Sequence, residues 1–161
     1  MIDLRPVGYV IGLLIAALGV TMLVPMIVDL LAGNGHAGTF LESAILTAMT
    51  GALMSLACAN AMTGKMNVQQ VVLMAASVWA VLPVFGAIPF VQGATAASLT
   101  DSYFEAMSGL TTTGSTVFHG LDELPAGLLL WRSMLQWFGG IGIIVVAMAF
   151  LPELRVGGMQ I

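Results

Sequence analysis

Long apolar runs separated by short polar stretches set the plan of this chain. Residues Val7 to Val28 contain no charged side chain, and about 20 apolar residues suffice to cross the hydrocarbon core of a bilayer. The run is longer than the apolar part of a signal peptide and lacks a small-residue cleavage site, so it reads as a retained span. Pro25 is placed to kink or end its last turns. Gly33-Asn34-Gly35-His36-Ala37-Gly38 reads as a turn-rich loop. A second span is predicted over Ser43 to Met62, then a tight polar connection over Thr63 to Asn67, then a third span over Val68 to Phe90. Pro83, Gly86 and Pro89 predict a bend in the third span, followed by its end. Gln92 to Thr100 is a small-residue loop. The fourth span is predicted over Ala126 to Leu151. Pro125 opens it, where a missing N–H is tolerated, and Pro152 stops it. Glu153 to Ile161 reads as a short Gly-rich tail.

Between the third and fourth spans, Phe104 to Val117 is too short to cross a bilayer and too polar to sit in lipid. Ser102-Tyr103-Phe104-Glu105 fits a capping box and predicts a helix from Ser102 to about Leu110. Asp101 adds negative charge at the positive end of its dipole. At about 1.5 Å per residue the helix is about 13 Å long, enough to enter the membrane partway. Its C-terminal end carries partial negative charge, which favours a cation. Thr111, Thr112, Thr113, Gly114 and Ser115 follow. Gly114 permits positive φ, which turning successive carbonyls toward an axis requires. Rings of carbonyls replace the hydration shell of potassium, and threonine hydroxyls add further oxygens. Thr111 to Thr116 contains no acidic residue, which argues against a divalent cation. Irregular backbone at membrane depth is tolerated where it is buried in protein or lines water. The predicted fold class is therefore an all-α integral membrane protein. It has four transmembrane helices, with one re-entrant pore helix and filter loop between the third and fourth. A Thr/Ser/Gly-rich external loop without a ligand is the alternative, because Thr50-Gly51 and Thr63-Gly64 repeat the same dipeptide.

Composition narrows the class. Of 161 residues, 59% are hydrophobic and 7% charged, against roughly 25% charged in a soluble domain. The surroundings are a lipid bilayer. The net charge is −4 with no basic run, which excludes nucleic acid as a partner. Cys58 is the only cysteine, so no disulfide forms within the chain. There is no Walker loop, nucleophile constellation or metal-ligand cluster, so an enzyme is not expected and no cofactor is implied. Four spans put both termini on one side together with Arg5, Lys65 and Arg155. That side is expected to be cytoplasmic. Asp29, Glu42, Asp101, Asp122 and Glu123 fall on the other.

Arg132 lies inside the fourth span and needs a partner there. Glu105 is the first candidate and Asp101 the second, with a Glu105–Arg132 pair bracing the short helix from behind. The alternative has Arg132 reaching the interface. Gly139, Gly140 and Gly142 cluster in the same span, either for close helix packing or as a gating hinge.

Three blocks carry a resemblance. The first is Thr100-Asp101-Ser102-Tyr103-Phe104-Glu105-Ala106-Met107-Ser108-Gly109-Leu110-Thr111-Thr112-Thr113-Gly114-Ser115-Thr116. The second is Trp131-Arg132-Ser133-Met134-Leu135-Gln136-Trp137-Phe138-Gly139-Gly140-Ile141-Gly142-Ile143-Ile144-Val145. The third is Leu151-Pro152 with Val156-Gly157-Gly158-Met159-Gln160. The chain resembles the N-terminal third of the Trk/Ktr/HKT superfamily of potassium transporters, especially its bacterial TrkH branch. The resemblance implies four helix–pore loop–helix units in one polypeptide around one pore. It makes residues 1–66 a two-helix leading hairpin and residues 67–161 the first unit. It implies potassium as the transported ion, bound at Thr112 and Thr113 with Gly114, and Thr111 and Ser115 beside them. In the plant HKT branch, serine at the glycine position goes with sodium preference, so Gly114 points to potassium. The implied location is the bacterial cytoplasmic (inner) membrane. The implied partners are the remaining pore units, a second full-length chain in a homodimer, and a cytosolic nucleotide-binding regulatory subunit. With one pore unit, the chain is expected to be a fragment supplying one quarter of the filter. The alternatives are a short chain that self-assembles as a tetrameric cation channel, or a non-transporting four-span assembly protein.

Overall fold

The computed structural model describes residues 1–61 and 65–150. Four helical rods run alternately up and down. Helices α1 (Arg5–Thr21) and α2 (Leu23–Ala32) make the first, and α3 (Ala37–Cys58) the second. Helices α4 (Val68–Gly86) and α5 (Ile88–Gln92) make the third, and α7 (Ala126–Phe150) the fourth. The short helix α6 (Leu99–Leu110) sits between the last two rods. The spans Arg5–Ala32, Ala37–Cys58, Val68–Gln92 and Ala126–Met148 are each long and apolar enough to cross a membrane. There is no strand among the described residues. Met62, Thr63 and Gly64, and the expected stop and tail from Leu151 to Ile161 with Pro152 and Arg155, lie outside the described residues.

The rods break where proline dictates. Pro25 has no N–H, and its ring crowds the carbonyl four residues back, that of Thr21. The first rod is interrupted at Met22, whose N–H turns to Gly19 O at 3.2 Å. It then continues past Val28 to Ala32, ending on Gly33 at φ 64°. In the third rod Pro89 cannot donate to Phe85 O, and next to it the Phe90 N–H goes to Ala87 O at 3.0 Å instead of to Gly86 O. The freed Gly86 carbonyl accepts from Trp131 Nε1–H of α7 at 2.9 Å. The break in the helix beside Pro89 thus leaves the acceptor that locks two rods together.

The second rod begins at Ala37, six residues ahead of the predicted Ser43. Packing explains the extension. Phe40 is fully buried and meets the Trp131 ring edge-on, centroids 6.4 Å apart. Tertiary contact stabilises helical turns beyond the apolar run. Around this pair, Met22, Phe90, Leu128 and Leu135 form the core. Helices α1 and α3 approach through small residues, as membrane helices do. A Cβ on Gly12 would stand 2.6 Å from Ser55 Oγ and 2.8 Å from the Gly51 carbonyl. Apolar side chains cover the outside, among them Leu46, Met49 and Leu53 of α3 and Ile141, Ile144 and Met148 of α7.

Candidate functional site

The short helix α6 starts earlier than predicted. Its N-cap is Ser98, whose hydroxyl accepts from the Asp101 N–H at 3.1 Å. The predicted capping box at Ser102 and Glu105 does not form. Ser102 is a fully buried interior residue, and its hydroxyl has no partner among the described residues. The sequence holds two Ser-x-x-acid copies one turn apart, and the upstream one caps. The helix is inside out: Ser102, Glu105 and Ser108 are buried while Phe104 is 44% exposed. That polar stripe at three-residue spacing was the available signal for Ser108. The Tyr103 hydroxyl donates to Ala80 O of α4 at 3.0 Å. On the other side a Cβ on Gly139 of α7 would collide with the backbone of Leu110. Helix α6 is therefore clamped between the third and fourth rods.

Its C-terminal end takes the first four loop donors inward. Thr111 N–H donates to Met107 O at 2.9 Å, Thr112 N–H to Gly109 O at 2.9 Å, and Thr113 N–H to Ser108 O at 2.9 Å. Gly114 N–H reaches the same Ser108 oxygen at 3.2 Å. The Thr112 and Thr113 bonds make a Schellman motif, which needs a left-handed residue after the cap. That residue is Thr112, at φ 58°. Gly114 follows at φ 79°. Sequence reasoning anticipated the glycine and missed the threonine. Among the described residues, no hydrogen-bond donor reaches the carbonyls of Thr111, Thr112, Thr113 or Gly114. Residues 111–117 are exposed.

The hydroxyls follow the same sense. Thr111 Oγ1 gives its one proton to Met107 O at 2.7 Å. In the 2.8 Å contact between Thr111 Oγ1 and Thr113 Oγ1, Thr113 therefore donates, and its oxygen accepts from no donor among the described residues. Ser115 differs: its carbonyl accepts from Ser108 Oγ at 2.6 Å and is turned back to α6. Four free carbonyls thus lie between two tied ends.

Glu105 holds the far end. Its Oε1 accepts from Arg132 Nε of α7 at 2.7 Å. Its Oε2 accepts from Thr116 Oγ1 at 3.0 Å and from the Val117 N–H at 3.1 Å. The Glu105 side chain is 1% exposed and that of Arg132 16%. One carboxylate therefore joins α6, α7 and the outgoing loop. Asp101 stays exposed at the opposite end of α6. The three glycines of α7 separate: Gly139 touches α6, Gly140 faces open space, and Gly142 lies near the Trp79 ring. Among the described residues, no three His, Cys, Asp or Glu side chains converge to hold a metal ion.

The profile of a family described as TrkH, a cation transport protein, matches residues 36–161. The Trk system potassium uptake protein TrkH of Halomonas elongata is 43% identical over 160 residues, covering 99% of this chain and 33% of its own length. The protein of the same name from Escherichia coli is 39% identical over 98% of this chain and 32% of its own. The crystal structure of the potassium transporter TrkH from Vibrio parahaemolyticus superposes with a TM-score of 0.84 at 39% identity. It covers 98% of this chain and 34% of that one. The chain spans about a third of the length of the curated relatives it matches.

Proposed function

The chain belongs to the TrkH family of cation transport proteins, and on that premise we propose that it forms part of a potassium-conducting, channel-like transporter. In this reading α6 is a re-entrant pore helix, and Thr111, Thr112, Thr113, Gly114 and Ser115 supply one quarter of the selectivity filter. One observation carries it: four consecutive loop N–H groups are tied to α6, while the four matching carbonyls have no donor among the described residues. Such a set attracts a cation and offers oxygens in place of its hydration shell. Potassium is the substrate, held at Thr112 and Thr113. The left-handed Thr112 supports the reading, since backbone strain persists where the surroundings over-determine a functional geometry. Glu105 and Arg132 brace the loop from behind.

The remaining three quarters of the ring belong to further pore units of a longer polypeptide. Residues 67–161 act as the first unit and residues 1–66 as a leading hairpin. Only 17% of the apolar window is buried in the third and fourth spans, against 39% and 33% in the first two. Those two spans therefore have surface to give to neighbouring units. Arg5 and Lys65 are exposed at the end opposite α6, so the termini face the cytoplasm and the filter opens outward. Two complete chains pair, and a cytosolic nucleotide-binding subunit regulates them, as the superfamily resemblance implies. The location is the bacterial cytoplasmic membrane.

Rubidium uptake by potassium-uptake-deficient cells expressing the full-length protein tests the reading. Uptake is expected, and Gly114→Ser is expected to raise sodium permeation relative to potassium. No uptake from protein that reaches the membrane in normal amount would sink the proposal.

A further inference from the structure

A buried carboxylate joins the leading helices to the helix that carries Arg132. Asp29 is 1% exposed, although its neighbours Leu30 and Leu31 are 64% and 83% exposed. The apolar side chains point out and the acid points in. Asp29 Oδ1 accepts from the Gly127 backbone N–H at 2.7 Å and from Asn34 Nδ2 at 2.8 Å. Its Oδ2 is buried with no partner among the described residues.

The start of α7 requires this acceptor. The first N–H groups of a helix have no intrahelical partner, and Leu124 and Pro125 offer no capping side chain. The N–H groups of Leu128 and Leu129 both turn to Pro125 O, at 3.0 and 3.2 Å. That leaves the Gly127 N–H to Asp29. The carboxylate also faces the positive end of the α7 dipole. Gly127 makes room for it: a Cβ there would stand 2.5 Å from Asp29 Cγ and 2.7 Å from Oδ1. Arg132 lies five residues further along α7, a rise of about 7.5 Å. Arg132 holds Glu105, and Glu105 holds Thr116 and Val117.

We propose that Asp29 is a positioning residue for the ion pathway. Through the Gly127 N–H it sets the axial register of α7. It thereby seats the Glu105–Arg132 pair and the far end of the loop. The leading hairpin is then coupled to ion selection, although the matched family profile begins at residue 36, beyond Asp29. The consequence for transport rests on the function proposed above.

The test uses full-length protein with Asp29→Ala, Asp29→Asn and Gly127→Ala. Asparagine keeps the Oδ1 acceptor, alanine removes it, and a methyl group at position 127 pushes the carboxylate away. Per transporter in the membrane, Asp29→Ala and Gly127→Ala are expected to raise the half-saturating rubidium concentration or lower potassium over sodium preference. The expected change is about two- to thirtyfold, the range for residues that couple sites indirectly. Asp29→Asn changes less, and the effect vanishes in a Glu105→Leu background, where the link is already cut. In purified protein, hydrogen exchange over residues 111–117 is expected to accelerate by the same order in Asp29→Ala. Reduced abundance with unchanged half-saturation and selectivity per molecule overturns the proposal. So does unchanged exchange at 111–117, which decides the matter whether or not the wild type takes up rubidium. Absent wild-type uptake counts against the transport reading alone.

Discussion

Replacing Arg132 by methionine separates what the Glu105–Arg132 pair does for folding from what it does for the loop. The substitution leaves a carboxylate that is 1% exposed without its 2.7 Å counter-ion. Removing one partner of a buried pair costs about 3–5 kcal/mol, chiefly for the charge left behind. Arg132 is 16% exposed, so water softens the loss, and about 3 kcal/mol is the better figure. Adding Glu105→Leu removes the orphaned charge. Exchanging a buried pair for apolar side chains is often neutral or stabilising by about 1–4 kcal/mol. Against this, the hydrogen bonds to Thr116 and Val117 disappear, each worth about 1.5–3 kcal/mol to a charged acceptor. Thr116 and Val117 are exposed, so water replaces part of that. The double variant should therefore recover most of the lost stability while the outgoing loop stays untethered. Denaturation of purified full-length protein and rubidium uptake with sodium competition read the two quantities separately. Arg132→Met should lose both stability and selectivity, and the double variant should regain only stability. A double variant that recovers native selectivity would refute the bracing argument. So would an Arg132→Met protein that is less stable yet fully selective.

Two further substitutions probe the turn and the helix contact. Left-handed backbone costs a β-branched residue about 1–2 kcal/mol, and glycine returns about 0.5–1 kcal/mol of that as unfolded-state entropy. Thr112→Gly should thus raise the unfolding free energy by about 0–1.5 kcal/mol while loosening potassium over sodium preference; a clear loss of stability would contradict the strain seen at φ 58°. Gly139→Ala drives a methyl group into the Leu110 backbone and should cost about 1–3 kcal/mol by overpacking, with weakened uptake. Gly140→Ala meets no atom within 4 Å among the described residues and should leave flux at wild-type levels; unchanged gating would count against the hinge, and altered gating would favour it.

The spans were legible because membrane helices announce themselves by composition over a whole window, which needs no knowledge of neighbours. The misreadings gather at helix ends, where the partner of a backbone group comes from elsewhere in the chain. Ser98-Leu99-Thr100-Asp101 and Ser102-Tyr103-Phe104-Glu105 satisfy the same local rule, and only Arg132, 27 residues beyond Glu105, decides between them. Once Arg132 claims Glu105, the upstream copy has to cap. Gly114 could be foreseen at positive φ from propensity, whereas Thr112 could not. Its left-handed turn is imposed by the bonds to Gly109 and Ser108 and by Leu110 lodged against Gly139. The sequence counts Asp29 among the acidic residues of the outer side because a charge ends the apolar run at Val28, although the helix runs on to Ala32. Its burial becomes intelligible from the other end of the molecule. Leu124 and Pro125 give α7 no cap of their own, and a helix start away from water cannot leave its N–H groups unpaired. In an apolar chain, a helix that begins without a local acceptor is therefore a demand for one. The place to look is a polar residue that appears to spoil another span.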